Sequence, residues 1–201
     1  IVPNLFDPAQ CMRAGETFIK ENNLHEDKFS LLILGGKGIG YKYSENEWDE
    51  LLENFSVFCT QSNTKPLFIT SPRTPIKVEN IIKSKYDTSF SVLFHSENKR
   101  GSFSHLLYVA KNIFVTEDSS TMLSEAISSG KKVACVYPKD INAPEKYREI
   151  IRKYEELNFI KRRSISEICD GPYNEMIDIS YEVNQSLIEF NKLLVELLFD
   201  Q

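Results

Sequence analysis

An α/β fold built on a parallel sheet, with helices on both faces, is what this sequence predicts, and three observations predict it. From Phe29 onward short apolar runs recur at Leu31–Leu34, Leu67–Thr70, Val92–Phe94, Ile113–Thr116 and Val133–Tyr137. Segments with helical spacing separate them, and each run ends in a loop rich in glycine, proline or charge. Strands that alternate with helices in this way build parallel sheets, because each parallel connection needs a crossover long enough to hold a helix.

Composition sets the outer limits. A chain of 201 residues with 41% hydrophobic content is ordinary for a domain with a buried core. The net charge of −5 and pI of about 5.4 argue against a nucleic-acid binder held by backbone charge. No stretch approaches the roughly 18 apolar residues of a membrane span, and no signal-peptide pattern opens the chain. Cys11, Cys59, Cys135 and Cys169 are too far apart for a zinc pair or a disulfide framework, so a reducing, cytoplasmic setting fits best. No metal or cofactor is expected, since Glu117-Asp118 alone makes a thin metal site and no clustered Cys and His, H-E-x-x-H pair or G-x-S-x-G elbow occurs. The first residue is Ile1 rather than Met, so the chain is expected to be a piece of a longer protein.

In chain order, residues 1–28 read as a leading linker with a short helix around Ala9 to Glu21, and residues 29–201 as the main domain. After the first strand, Ser44 and Glu47 form a capping box for a helix that continues through Trp48, Leu51, Leu52 and Phe55. Further helices are expected over Lys77 to Tyr86, Phe103 to Ala110, Ser120 to Ser129 and Pro144 to Leu157. Near the end, Val183, Leu187, Phe190, Leu194 and Leu197 recur at three and four, which predicts a long amphipathic helix over Tyr181 to Phe199.

The five strand-end loops hold the unusual residues, at 35–40, 71–75, 95–100, 117–120 and 138–140, and all lie along one edge of a doubly wound sheet. Ligands of open parallel sheets bind at that carboxyl edge. The first loop, Gly35-Gly36-Lys37-Gly38-Ile39-Gly40, has G-x-x-x-x-G spacing but continues with Tyr41 where a P-loop needs Lys, and it misses the dinucleotide spacing. It is therefore neither a Walker loop nor an NAD fingerprint. Two readings remain: a turn that lets backbone approach a ligand, with Lys37 on a phosphate, or a plain tight turn. In Ser71-Pro72-Arg73-Thr74-Pro75 the prolines stiffen a loop that presents a guanidinium, suited to a diphosphate or paired with an acid such as Glu117. His95 follows the third strand as a base, a donor or a structural side chain, while His25 and His105 have no distinguishing context.

Residues 115–138 are the most informative, reading as strand, acidic and hydroxylic turn, helix, glycine stop and strand. A helix N-terminus at the end of a strand favours an anion, with Asp118, Ser119, Ser120 and Thr121 at its mouth and Glu125 further along. The plain alternative is a capped αβ unit with a solvent-facing Glu125.

Three segments, LLILGGKGIGYKYSENEWDEL, PLFITSPRTP and IFVTEDSSTMLSEAISSGKKVACVY, resemble in order and spacing the mitochondrial fission ELM1-like family, over roughly residues 29 to 138. The firmest piece is T-x-D-S-x-x-M-x-x-E-A-x-x-x-G-K, met by Thr116, Asp118, Ser119, Met122, Glu125, Ala126, Gly130 and Lys131. The chain departs where the family has two arginines before Thr-Pro, since Pro72 precedes Arg73, and where it has proline after Gly-Lys, since Lys132 stands there.

The family is similar to GT-B glycosyltransferases, and the resemblance implies a Rossmann-like domain equivalent to their carboxyl-terminal, donor-binding half. It implies a nucleotide-sugar donor as partner, with Glu125 on the ribose hydroxyls, Ser119 and Ser120 on the diphosphate, Gly36, Lys37 and Gly38 bordering it, and Gly35 in the wider ligand-binding set. Ser71, Arg73, Thr74, His95, Asp118 and Met122 complete the expected ligand-binding set. An acceptor-binding domain is expected upstream, bringing the catalytic base and any peripheral membrane association. A second reading is a non-catalytic scaffold, since plant members of the family are associated with recruiting the fission machinery. A phosphatase or other small-molecule enzyme is a third, though the acids and nucleophile it needs are not grouped.

Overall fold

The strand that organises the sheet is β1 (Phe29–Leu34), whose six residues are all buried. A run of Phe, Leu and Ile with only Ser30 to interrupt it suits a strand covered on both faces, the usual fate of a central parallel strand. The structure is a computed structural model that describes residues 7–24, 29–86, 92–93 and 103–169.

Before β1 lies α1 (Pro8–Asn22), whose N-cap Asp7 accepts from the Ala9 N–H. After it come β2 (Tyr41–Lys42), α2 (Glu45–Gln61), β3 (Lys65–Thr70), α3 (Ile76–Lys85), β4 (Val92–Leu93) and α4 (Ser104–Val109). Then follow β5 (Ala110–Thr116), α5 (Ser120–Ser128), β6 (Lys132–Tyr137), β7 (Asp140–Ile141), α6 (Glu145–Glu156) and β8 (Lys161–Ser164), closed by a 3-10 turn at Ile165–Glu167. The main sheet has six strands in the order β4-β3-β1-β5-β6-β8, with every pairing parallel, and β2 and β7 form a separate antiparallel pair. The α/β fold with a parallel sheet is thus as the sequence predicts.

The five-strand expectation is corrected by β8. Its sequence, Lys-Arg-Arg-Ser, carries no apolar pattern, yet it pairs with β6 from Ala134↔Lys161 to Tyr137↔Ser164. Among the described strands β8 stands at the end of the sheet, where one side stays solvated and charge is tolerated. The expected helix over Tyr181 to Phe199 lies outside the described residues, as do His25, His95 and Phe94.

Packing on the sheet is dominated by aromatic side chains. The capping box at Ser44 and Glu47 is present and starts α2, which carries Phe55 and Phe58 to the sheet. Phe55 meets Phe68 of β3 at 5.6 Å and Phe114 of β5 at 5.2 Å, and Phe58 meets Phe114 at 4.8 Å, all edge-to-face. Just before α2, Tyr43 stacks on Trp48 at 4.5 Å.

The strand order places the crevice. From β1 the chain moves outward through β3 to β4, then returns to the other side of β1 and moves outward through β5, β6 and β8. The direction reverses between β1 and β5, and the loops leaving those two strands diverge there, which is where open parallel sheets accept ligands. The loops in question are 35–40 and 117–119.

At the amino end, α1 is seated on α4. The Cys11 thiol donates to the Ser104 carbonyl at 3.1 Å, and Phe18 meets His105 at 4.8 Å between ring centres. Gly15 makes the close approach possible, because a Cβ there would lie 2.1 Å from the Tyr108 ring. Burial pushes the Cys11 thiol up to about 11, against the lowering effect of Lys131, so it packs as a neutral group. We expect Gly15→Ala to lower stability by about 1–3 kcal/mol through overpacking. Urea unfolding checks this, and unchanged stability would mean that α1 is not held against α4.

Candidate functional site

The crevice between β1 and β5 is built from three consecutive residues that go different ways. Glu117 and Asp118, in the turn just past β5, send their side chains in opposite directions. Ser119 then caps α5.

Glu117 turns toward β6 and β8. Its carboxylate is 1% exposed and takes a bidentate pair from Arg162, Nε to Oε2 at 2.6 Å and a terminal nitrogen to Oε1 at 2.8 Å. The Tyr41 hydroxyl donates to Oε1 at 2.5 Å, and the Cys135 thiol to Oε2 at 3.6 Å. The backbone of Glu117 is held as well: its carbonyl accepts from the Tyr147 hydroxyl at 2.6 Å, and its N–H donates to the Val136 carbonyl at 2.8 Å. Burial raises the Tyr41, Tyr147 and Cys135 pKa values, with Glu117 adding to each, so all three stay protonated as donors. Burial would lower that of Arg162, but the bonds and charge of Glu117 outweigh it and hold the guanidinium charged. Arg162 also lies 4.3 Å over the Tyr137 ring.

Asp118 turns the other way, into the glycine loop. It is 1% exposed, and its Oδ2 accepts from the Gly36 N–H at 2.8 Å and from Arg73 at 3.2 Å. Its Oδ1 has no hydrogen-bond partner among the described residues and faces Gly35, where a Cβ would sit 2.3 Å away. Burial raises the Asp118 carboxyl above its ordinary value, and the Thr116 hydroxyl, the Gly36 N–H and Arg73 work against that rise. The Gly35 N–H donates to the Thr116 hydroxyl at 2.7 Å. Below them, the Thr74 hydroxyl lies 2.7 Å from the Leu34 and Gly35 carbonyl oxygens, and the Ser71 hydroxyl donates to Gly35 at 3.2 Å.

The glycines therefore serve the protein's own packing first. A Cβ on Gly36 would meet the Arg73 carbonyl at 2.0 Å, and the Gly35 and Gly36 N–H groups already have internal acceptors. Gly35, Gly36, Ser71, Thr74 and Asp118 come together as a buried scaffold. Arg73 pairs with Asp118 rather than with Glu117, and its side chain is 41% exposed at the mouth. Lys37 is exposed and has no ion pair among the described residues.

The last part of the site is α5. Its N-cap is Ser119, in extended backbone, and neither Ser119 nor Asp118 makes the side-chain cap bond expected of them. The first helical hydrogen bond runs from the Leu123 N–H to the Ser119 carbonyl, so the amides of Ser120, Thr121 and Met122 point out of the helix end. Ser120 and Met122 are half-buried beside them. Glu125, one turn beyond Thr121 on the same face, is also half-buried, has no partner among the described residues, and has its pKa raised by burial alone. After Ser129 the chain leaves the helix through Gly130 at φ 69°, the glycine stop.

Two further ties close the edge. The Glu47 carboxylate accepts from the Ser44 N–H and hydroxyl and from the Lys139 N–H at 2.7 Å; burial alone would raise its pKa, but these bonds outweigh it and lower it. The β2–β7 pair and the bond from the Asn142 N–H to the Gly40 carbonyl at 2.8 Å join the loop after β6 to the glycine loop. Sequence reasoning missed Arg162, Tyr41 and Tyr147. Tyr41 was visible only as the residue that spoils a P-loop, and Arg162 sat in a strand without an apolar pattern. Among the described residues no group of His, Cys, Asp and Glu is arranged to hold a metal ion.

Removing Arg162 would strand a buried carboxylate, so we expect Arg162→Met to cost about 3–5 kcal/mol. Tyr41→Phe should cost about 1–3 kcal/mol. The double variant Glu117→Gln, Arg162→Met should lose less than Arg162→Met alone. Equal losses in chemical denaturation would show that the stranded charge is not the cause.

The chain is similar to several known proteins. It is 34% identical over 125 residues to the uncharacterized protein RP120 of Rickettsia prowazekii, an overlap of 59% of this chain and 34% of that protein. The chain thus spans about a third of the length of that curated relative. Among solved structures it is similar to the Escherichia coli ADP-heptose lipopolysaccharide heptosyltransferase II, at 14% identity and TM-score 0.45, covering 92% of this chain and 52% of that one. It is also similar to WaaG, a glycosyltransferase involved in lipopolysaccharide biosynthesis, at 17% identity and TM-score 0.46, covering 86% and 42%. A model of the family described as mitochondrial fission ELM1 matches residues 2–187, and the chain belongs to that family.

Proposed function

We propose that this chain is the nucleotide-sugar-binding domain of a GT-B-like glycosyltransferase, completed by an acceptor-binding domain upstream. The observation that carries the reading is Glu125: a half-buried carboxylate without a partner among the described residues, on the helix whose uncapped N-terminus opens at the β1/β5 crevice. A carboxylate that loses solvation without gaining a bond costs stability, and such costs gather at sites kept for a ligand. Family membership supports a nucleotide-sugar as that ligand, through the resemblance of the family to GT-B enzymes.

In this reading the α5 amides and the Ser119 and Ser120 hydroxyls receive the diphosphate, Glu125 accepts from the ribose hydroxyls, and Met122 lies against the donor between them. Lys37, Gly38 and Arg73 face the diphosphate from the glycine-loop side, on the scaffold made by Gly35, Gly36, Ser71, Thr74 and Asp118. His95 lies outside the described residues, and its role here is an expectation of the same proposal. The reaction is displacement at the anomeric carbon: an acceptor oxygen forms the new bond, its proton passes to a base from the upstream domain, and the bond to the diphosphate breaks. The contribution of this chain is to stabilise the charge that develops on the departing diphosphate, which fixed N–H dipoles and cations do without reorganising.

Calorimetric titration of the full-length protein with UDP, GDP, CMP and their sugar conjugates tests the reading. We expect base-selective binding, weakened about tenfold or more in Glu125→Gln. Binding of none of these by the folded protein would overturn it and leave the scaffold reading.

The same variant has a pH signature. The folded-state pKa of Glu125 lies above its ordinary value of 4.5, so charging it costs stability as the pH rises through that range. Without ligand, Glu125→Gln should therefore be more stable than the parent at pH 7 and equal to it near pH 4, with the gap closing as Glu125 protonates in both states. Thermal unfolding across that range checks the sign.

A further inference from the structure

The turn at the tip of the glycine loop carries a residue that its backbone conformation disfavours. The Tyr41 N–H donates to the Gly38 carbonyl at 2.9 Å, and the two residues between them both have positive φ, Ile39 at 50° and Gly40 at 84°. That combination is a type I′ turn, whose first central position favours Asn, Asp or Gly. A β-branched residue there is an outlier, because its Cβ crowds the backbone in the left-handed region.

The turn cannot relax by shifting. A Cβ on Gly38 would lie 2.8 Å from the Asp118 carbonyl, and one on Gly40 would lie 2.2 Å from the Asn142 carbonyl, so backbone closes on it from both sides. Beyond Gly40 the chain enters the β2–β7 pair. Ile39 is half-buried: part of its side chain packs against the hydrophobic core and part is left at the surface.

Strain that the surrounding structure enforces, at a crevice, is characteristic of a residue kept for a ligand. We propose that Ile39 is a specificity-determining residue whose side chain packs against the apolar face of the transferred sugar. The inference rests on the donor-site reading above and deepens it. If Glu125 holds the ribose and the α5 N-terminus holds the diphosphate, the nucleotide occupies the α5 side, and the far end of the donor lies toward the glycine turn across the crevice. A sugar presents C–H groups to an aliphatic side chain, while Lys37, two residues before, is placed for the phosphate to which the sugar is attached.

The test compares a nucleoside diphosphate with its sugar conjugate on the full-length protein and on Ile39→Asn and Ile39→Gly, using the nucleotide that the parent binds best. Both variants relieve the turn, so both should unfold at a temperature about 2–5 °C higher than the parent. Both should bind the free nucleotide as the parent does and lose about five- to tenfold in affinity for the sugar conjugate, the worth of a small apolar contact. A lower unfolding temperature would overturn the inference by showing that core packing selects isoleucine. So would an unchanged preference for the conjugate over the free nucleotide. If the parent binds neither ligand, the donor-site reading fails and this inference falls with it; if the parent binds both and the variants match it, only this inference falls.

Discussion

The arrangement at the carboxyl edge depends on the buried carboxylate of Glu117. Taken out of water, an ionised carboxylate needs a matching cation and enough donors for its lone pairs, and Arg162, Tyr41 and Cys135 provide them. Satisfying it recruits distant parts of the chain: β2 through Tyr41, β6 through Cys135, α6 through Tyr147 and β8 through Arg162. The cost of leaving that charge unmatched makes β8 join the sheet despite a sequence with no strand signature. Such a pair adds less to net stability than its geometry suggests, but it penalises alternative arrangements in which Glu117 is unpaired.

Asp118 does for the other side of the crevice what Glu117 does for this one. Its carboxylate binds the Gly36 N–H and Arg73, and the absence of Cβ atoms at Gly35, Gly36 and Gly38 lets acid, arginine and loop backbone close on each other. The glycine-rich loop is thus a packing device before it is a binding device. Lys37 has no ion pair among the described residues, and the exposed guanidinium of Arg73 is fixed by a buried partner, which lowers the ordering entropy a ligand contact would otherwise cost. The adjacent acids secure opposite walls, and the helix that follows begins between them.

That helix is left unfinished in a way that contrasts with α2. There Ser44 and Glu47 complete a capping box, and Glu47 also reaches across to Lys139. Ser119 of α5 makes no side-chain cap bond, and Glu125 is half-buried without a bond among the described residues. Two helices of one domain, with similar residues at their starts, differ in whether their polar groups are used internally. The unused set gathers at the strand-order reversal.

The sequence by itself determined the alternation of strands and helices, the α2 capping box, the glycine stop after α5 and, among the described residues, the loops that share the carboxyl edge. These depend on local spacing and on side chains acting within a few residues of their own backbone, which a linear reading can follow. The motif from Thr116 to Lys131 also follows the observed local order of strand, turn, helix and glycine stop. Only the tertiary structure decided that Arg73 pairs with Asp118, that Arg162 pairs with Glu117, and that the Gly35 and Gly36 amides are spent internally. Those partners are separated by 45 residues or more along the chain, and their pairing follows from which strands lie side by side and which way each strand-end side chain points. Strand order and side-chain direction are set by the burial of the whole core, so neither could be read from any one segment.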